Sequence, residues 1–131
     1  MSDFTLAQRL DLQTKHQALI NVLQRGDVAM PSGGASARLM GELTVATGRE
    51  VGLIRVGGRR VLRLGDADSI FMADANRVIA HTHPSGVLRF SGEVGGELGD
   101  IPSFLRYQPR QRSSVLIAPD GSAVRLPIPR R

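Results

Sequence analysis

His81-Thr82-His83-Pro84 stand at the end of a β-branched, apolar run, Arg77-Val78-Ile79-Ala80, and lead into a turn of Pro, Ser and Gly. On a strand, residues i and i+2 share a face. The two imidazoles therefore project side by side where the strand runs out into a loop. That arrangement suits two ligands of one metal ion. Zinc takes neutral imidazole nitrogen at about 2.0–2.1 Å, and a catalytic zinc uses three protein ligands and a water. His81 and His83 would supply two of the three. The plain alternative is a pair of surface histidines at a strand end.

Hydrolysis at such a metal needs a base. A metal held by two His and a carboxylate lowers the pKa of its water from 15.7 towards about 7. A carboxylate beside that water, off the metal, can take its proton and pass it to a leaving amine. Glu50 is the candidate, the only acidic residue between Glu42 and Asp66, at the start of the apolar stretch Val51-Gly52-Leu53-Ile54. Its other reading is a solvated strand end. Downstream, Ser91 lies in a glycine-rich loop and Asp100 precedes Ile101-Pro102-Ser103-Phe104-Leu105. A serine hydroxyl there can donate a hydrogen bond to the oxyanion of a tetrahedral intermediate, or be an ordinary loop serine.

A Glu, then His-x-His-Pro, then a Ser and an Asp, in that chain order, resembles the JAMM/MPN+ (JAB) metalloprotease family. That family's pattern is a Glu at the start of a strand, His-x-His-Pro, and a Ser and an Asp usually three residues apart. Its members include deubiquitinating isopeptidases and bacterial peptidases, with related domains in bacterial polymorphic toxins. The stretch His81-Thr82-His83-Pro84-Ser85-Gly86 is also similar to the RadC branch. The resemblance spans roughly residues 36 to 127. It implies an α/β fold, an MPN/JAB-like (cytidine-deaminase-like) mixed sheet sandwiched by helices. It implies zinc held by His81, His83 and Asp100, with Glu50 as the base and Ser91 at the oxyanion. The expected activity is zinc-dependent cleavage of a peptide or isopeptide bond, deubiquitinase-like or as a toxin or effector domain. The expected partner is a protein or peptide substrate, ubiquitin-like conjugates among them. The alternatives are a catalytically inactive MPN-type binding scaffold and a RadC-like nucleic-acid-associated domain.

One spacing departs from the pattern. Three residues after Ser91 stands Val94, and the first Asp after Ser91 is Asp100, nine positions on. The residues between, Gly92 to Gly99, read as a loop insertion that leaves Asp100 at the start of the next helix. Asp is a favoured N-cap, and Pro102 is tolerated in a first helical turn. Gly95, Gly96 and Gly99 give the loop freedom to reach back. Glu93, two residues after Ser91, is the competing ligand, and a site with no carboxylate ligand is the third reading.

Composition frames these residues. The chain has 131 residues, 41% hydrophobic and 22% charged, enough for a single domain with one core. No cysteine occurs, so disulfides and thiolate ligands are excluded and zinc must use His and carboxylate. No apolar run approaches the roughly 18 residues that span a bilayer, and no signal-peptide pattern opens the chain. The expectation is a protein of the cytoplasm, or an effector domain delivered elsewhere, without membrane partners. Net charge is +5, and of 17 basic residues only Lys15 is lysine. Coding bias explains that, or a gain from lacking modifiable lysines in a ubiquitin-containing host. Arginines recur at Arg55, Arg59, Arg60 and Arg63, at Arg106, Arg110 and Arg112, and at Arg130-Arg131. Such a balance attracts phosphate backbones or acidic proteins. With five aromatics, base-stacking platforms are scarce, and a solvated basic surface is the commoner reading.

The elements that must position the site follow from periodicity. Leu6, Leu10, Leu19, Val22 and Leu23 predict a helix over 4–25, capped by Ser2 or Asp3, stopped by Gly26-Asp27 and peripheral to a core at 35–127. Its middle is polar, with His16 solvent-exposed. Pro31-Ser32-Gly33-Gly34 is a linker. A second helix over 35–47 turns Leu39, Met40 and Leu43 inward and stops at Gly48. Glu50–Val56 and Arg60–Leu64 form a hairpin across Gly57-Gly58-Arg59. Asn76–His81 is a third strand, and a helix runs from Asp100 to about Tyr107. Ser113–Ala118 and Ala123–Leu126 flank the turn Pro119-Asp120-Gly121-Ser122. The loop 84–99 is longer than a usual connection, which marks it as functional.

Overall fold

A computed structural model describes residues 4–130. Among these residues four helices and six strands follow in the order α1 (Leu6–Lys15), α2 (Gln17–Leu23), β1 (Val28–Ala29), α3 (Ala37–Thr47), β2 (Val51–Val56), β3 (Arg59–Leu64), β4 (Arg77–Thr82), α4 (Asp100–Tyr107), β5 (Ser113–Ile117) and β6 (Ala123–Pro127). The strands form one mixed sheet in the order β1-β3-β2-β4-β5-β6. All neighbours are antiparallel except β4 and β5. A parallel pair needs a long crossover, and the segment carrying the 84–99 loop and α4 supplies it.

The sheet separates two buried clusters. On one face Met40, Leu43 and Ala46 of α3 pack with Val51, Leu53, Leu62, Ala80 and Ile117. On the other, Ile101 and Phe104 of α4 pack with Ile54, Val61, Val78 and Leu116. Among the described residues no helix is long and apolar enough to cross a membrane.

Local chemistry accounts for most boundaries. Ser36 caps α3 by accepting from Leu39 N–H at 3.0 Å, and Gly48 ends it in the left-handed region at φ 68°. Gly57 and Gly58, at φ 56° and 79°, make the two-residue turn that matches strand twist. Arg59 therefore belongs to β3 and not to the turn.

The N-terminal region differs from its expectation. The predicted helix over 4–25 breaks at His16, whose backbone (φ −109°, ψ 17°) leaves the helical range between α1 and α2. Ser2 and Asp3 lie outside the described residues; Thr5 caps α1, in a reciprocal box with Gln8. His16 is not solvent-exposed. Its Nε2 lies 2.8 Å from Glu42 of α3, with 11% of the side chain accessible. The Gln13 amide donates to Ala46 O at 2.9 Å. The polar middle of the segment is thus its docking face. α1 buries no residue and stays peripheral, with Leu6 and Leu10 exposed, while α2 places Ile20 and Leu23 in the core. Leu23→Ala is expected to cost about 2–5 kcal/mol, read as a fall in the urea midpoint. An unchanged midpoint would make the helix pair wholly peripheral.

Candidate metal centre

β4 lies between β2 and β5, and a bulge in it decides where its histidines point. Leu53 pairs with Ala80 but Ile54 pairs with Val78, leaving Ile79 as the extra residue. An uninterrupted strand would put Val78 and Ala80 on one face. Here Val78 belongs to the α4-side cluster and Ala80 to the α3-side cluster. His81 consequently points to the α4 side, against Phe90 (ring centroids 6.5 Å, nearly parallel) and Phe104 (6.5 Å). Bulges are a recurrent way of re-aiming side chains beside functional sites.

The two imidazoles converge as their spacing predicts, and they are buried rather than surface groups. His81 is fully buried and His83 is 8% exposed. Their Nε2 atoms lie 3.2 Å apart. Asp100, the first residue of α4 and itself buried, closes the triangle. Its Oδ1 is 3.2 Å from His81 Nε2 and its Oδ2 is 3.0 Å from His83 Nε2. Glu50 is buried one residue before β2, held there by backbone bonds to Asp66 and Gly65 at 2.7 Å each. Its carboxylate and the two imidazole nitrogens all lie within 4.8 Å of one another. Glu50, His81 and His83 therefore form a buried group that can hold a metal ion.

The donor chemistry fits a cation. His83 Nδ1 lies 2.8 Å from Val87 O, and a carbonyl only accepts, so Nδ1 carries the proton. In the neutral ring, Nε2 then presents a lone pair to the Asp100 carboxylate and to His81 Nε2. Three sets of lone pairs facing one another need a proton or a metal between them. The separations of 3.0–3.2 Å, with one Asp100 oxygen toward each imidazole, bring the donors close enough to share one cation. The His83 Nδ1–H bond to a carbonyl is the kind of outer partner that fixes a metal-binding imidazole. His81 Nδ1 is buried with no hydrogen-bond partner among the described residues.

The two carboxylates are set apart electrostatically. Burial alone would raise both. For Asp100, His81 and His83 donate from Nε2 only when protonated there, and those bonds then outweigh burial and hold the acid well below the usual carboxylate range. Glu50 has no such partner: burial pushes it up to about 7, with His83 pulling down and Asp100 and Asp68 pushing further up. Burial disfavours the charged form of His83, yet its bond to Asp100 raises it overall. One acid is a fixed anion, the other titrates near neutrality.

Ser91 and Asp100 are brought together across nine positions. Ser91 N–H donates to Asp100 Oδ2 at 3.0 Å, Asp100 N–H donates to Ser91 Oγ at 2.9 Å, and Ile101 N–H donates to Ser91 O at 3.0 Å. Just inside this clasp Gly92 and Gly99 pack backbone to backbone. A Cβ on Gly92 would come within 2.5 Å of Leu98 O, and one on Gly99 within 2.9 Å of Gly92 Cα. The eight intervening residues leave and return at one point. Asp100 is not the N-cap, because Gly99 holds that place and Asp100 opens the helix. Glu93, the competing ligand, is exposed on the loop. A cleft of about 570 Å³ opens onto Glu50, His83 and Ser91, with Asp68, Arg89 and Phe90 along its walls.

One positioning device escaped the sequence reading. Thr82, between the histidines, points to the opposite face, where its Oγ1 accepts from Val51 N–H at 2.8 Å and meets Thr44 Oγ1. Thr44 Oγ1 donates to Arg49 O at 2.9 Å. Two threonine hydroxyls thus fix the backbone on both sides of Glu50. A buried β-branched polar residue alternating with two functional ones was the available signal. Thr82→Val, nearly isosteric, leaves Val51 N–H buried without an acceptor and is expected to cost about 1–3 kcal/mol. Thr82→Ser should restore most of it; equal urea midpoints for all three proteins would exclude the device.

No family model, curated protein or solved structure matches this chain.

Proposed function

We propose that the chain is a zinc-dependent metallohydrolase of the JAMM/MPN+ type, cleaving a peptide or isopeptide bond. The observation that carries this reading is Asp100 standing against both imidazole Nε2 atoms at 3.0 and 3.2 Å while Glu50 is buried beside them. His81, His83 and Asp100 would hold the zinc. When bound, zinc supplies Lewis acidity, making water acidic enough to ionise near neutral pH and polarising a carbonyl. Glu50 takes the proton of the attacking water and delivers it to the leaving nitrogen. It suits that exchange because burial poises it near 7 and its carboxylate, though within 4.8 Å of both imidazoles, is hydrogen-bonded to neither, whereas Asp100 lies within 3.2 Å of each. Ser91 Oγ accepts the Asp100 N–H and so keeps its own proton free to donate to the developing oxyanion. The binding-scaffold alternative drew on Val94 standing where a ligand was expected. Asp100 beside the histidines supports the hydrolase reading over it.

The test is amide hydrolysis by the zinc-loaded chain, first on an isopeptide conjugate of a ubiquitin-like protein, then on a peptide library. Ser91→Ala is expected to slow hydrolysis on the order of 10–10³-fold with zinc retained. A zinc-loaded protein that cleaves no amide would favour the scaffold.

A further inference from the structure

The strand register assembles a row of arginines that the metal centre does not use. Arg55 of β2 is the direct cross-strand partner of Arg60 on β3 and of Arg77 on β4. Neighbouring strands lie about 4.7–4.9 Å apart, so three cations stand side by side. Ile54, Val61 and Val78 fill the α4-side core, so the alternating arginines face the α3 side. Arg55 and Arg77 are exposed there, uncovered by α3. None of the three has an acidic partner among the described residues, and Arg60 Nε is buried with no hydrogen-bond partner. Arg63, three positions along β3 from Arg60 and on the opposite face, shows what a satisfied arginine looks like here, clamped by Asp27 and Asp74 at 2.6–2.9 Å. Arg59 extends the positive charge along the same end of the sheet.

Like charges directly opposite one another on a sheet are destabilising. Three in register, unneutralised, are a cost that a bound anion would offset. We propose that the Arg60–Arg55–Arg77 row binds the phosphodiester backbone of a duplex nucleic acid. The planar guanidinium fork matches phosphate oxygens two at a time. A duplex carries one negative charge per about 1.7 Å, dense enough to face cations packed this closely. β2, β3 and β4 carry no aromatic residue, so nothing there stacks on bases, and recognition is of the backbone and independent of sequence. His81 lies at the other end of the same strands and points to the other face. The row is therefore a tethering surface, and it stands whether or not the metal centre hydrolyses amides.

The test is fluorescence anisotropy of the full chain with two labelled duplexes of unrelated sequence, titrated in salt. Wild type is expected to bind both equally, with a log–log salt slope of about −2.7, near −0.9 per phosphate contact. Arg55→Ser/Arg77→Ser is expected to weaken binding by at least about tenfold and flatten the slope to about −0.9. Arg106→Ser on α4 and His83→Ala are expected to bind as wild type does, the latter separating this surface from the metal centre. Arg55→Thr alone should raise the thermal midpoint while weakening binding, which a merely structural arginine would not do. An unchanged affinity and slope in the double variant would overturn the proposal. So would poly-glutamate binding as tightly as the duplex, which would assign the face to an acidic protein.

Discussion

Glu50→Gln is expected to keep both metal and fold and to lose hydrolysis by about 10²–10⁴-fold. The amide has the shape of the acid but cannot accept a proton from water. Glu50 is only 5% exposed, and no hydrogen bond among the described residues offsets the burial of its carboxyl, which pushes it up to about 7. A base works only when ionised. Wild-type kcat/KM should therefore fall about tenfold for each pH unit below the Glu50 pKa and level off above it. A cation held between the imidazoles would stabilise the Glu50 anion and shift that acid limb to lower pH. In Glu50→Gln the limb should vanish along with the rate. A variant that keeps both would remove Glu50 from the mechanism.

The second large effect is on stability. Asp100 carries a buried negative charge and accepts from Ser91 N–H as well as facing two imidazoles. Asp100→Ala removes one member of this buried set and is expected to cost about 3–5 kcal/mol, besides losing zinc. In the wild type, metal that binds only the folded chain adds stability by mass action, about 2.7 kcal/mol at a hundredfold excess over Kd. Urea unfolding with and without a chelator should show this gap in wild type and close it in Asp100→Ala. Zinc that survives in Asp100→Ala but disappears in Glu93→Ala would move the ligand role to Glu93.

Where sequence reading worked, the signal was local. The glycine pair at 57–58, the turn at 119–122 and the alternation of Arg60–Leu64 each act within a few residues, and the corresponding hairpins form there, with Arg59 joining β3. His-x-His at a strand end likewise needed only the period of two. What was illegible depends on partners far away in the chain. His16 breaks the first helix because Glu42, 26 positions on, receives it. β1 has two residues, too few to show a period, and exists because β3 offers an edge. The bulge at Ile79 is invisible in a continuous β-branched run, yet it sets the face to which His81 points. Asp100 could be named as a ligand only by assuming that a glycine-rich loop returns to its origin. The clasp between Ser91 and Asp100 is the physical form of that return.

The proposed chemistry at Glu50 requires a metal held at the end of β4. Elemental analysis of the purified full chain tests it most directly, run beside His83→Ala in matched metal-free buffer. The expected result is one zinc per wild-type chain and none in His83→Ala, with helix and sheet content unchanged by circular dichroism. A well-folded wild-type chain that takes up no zinc, even after equilibration with an excess of it, would contradict the claim.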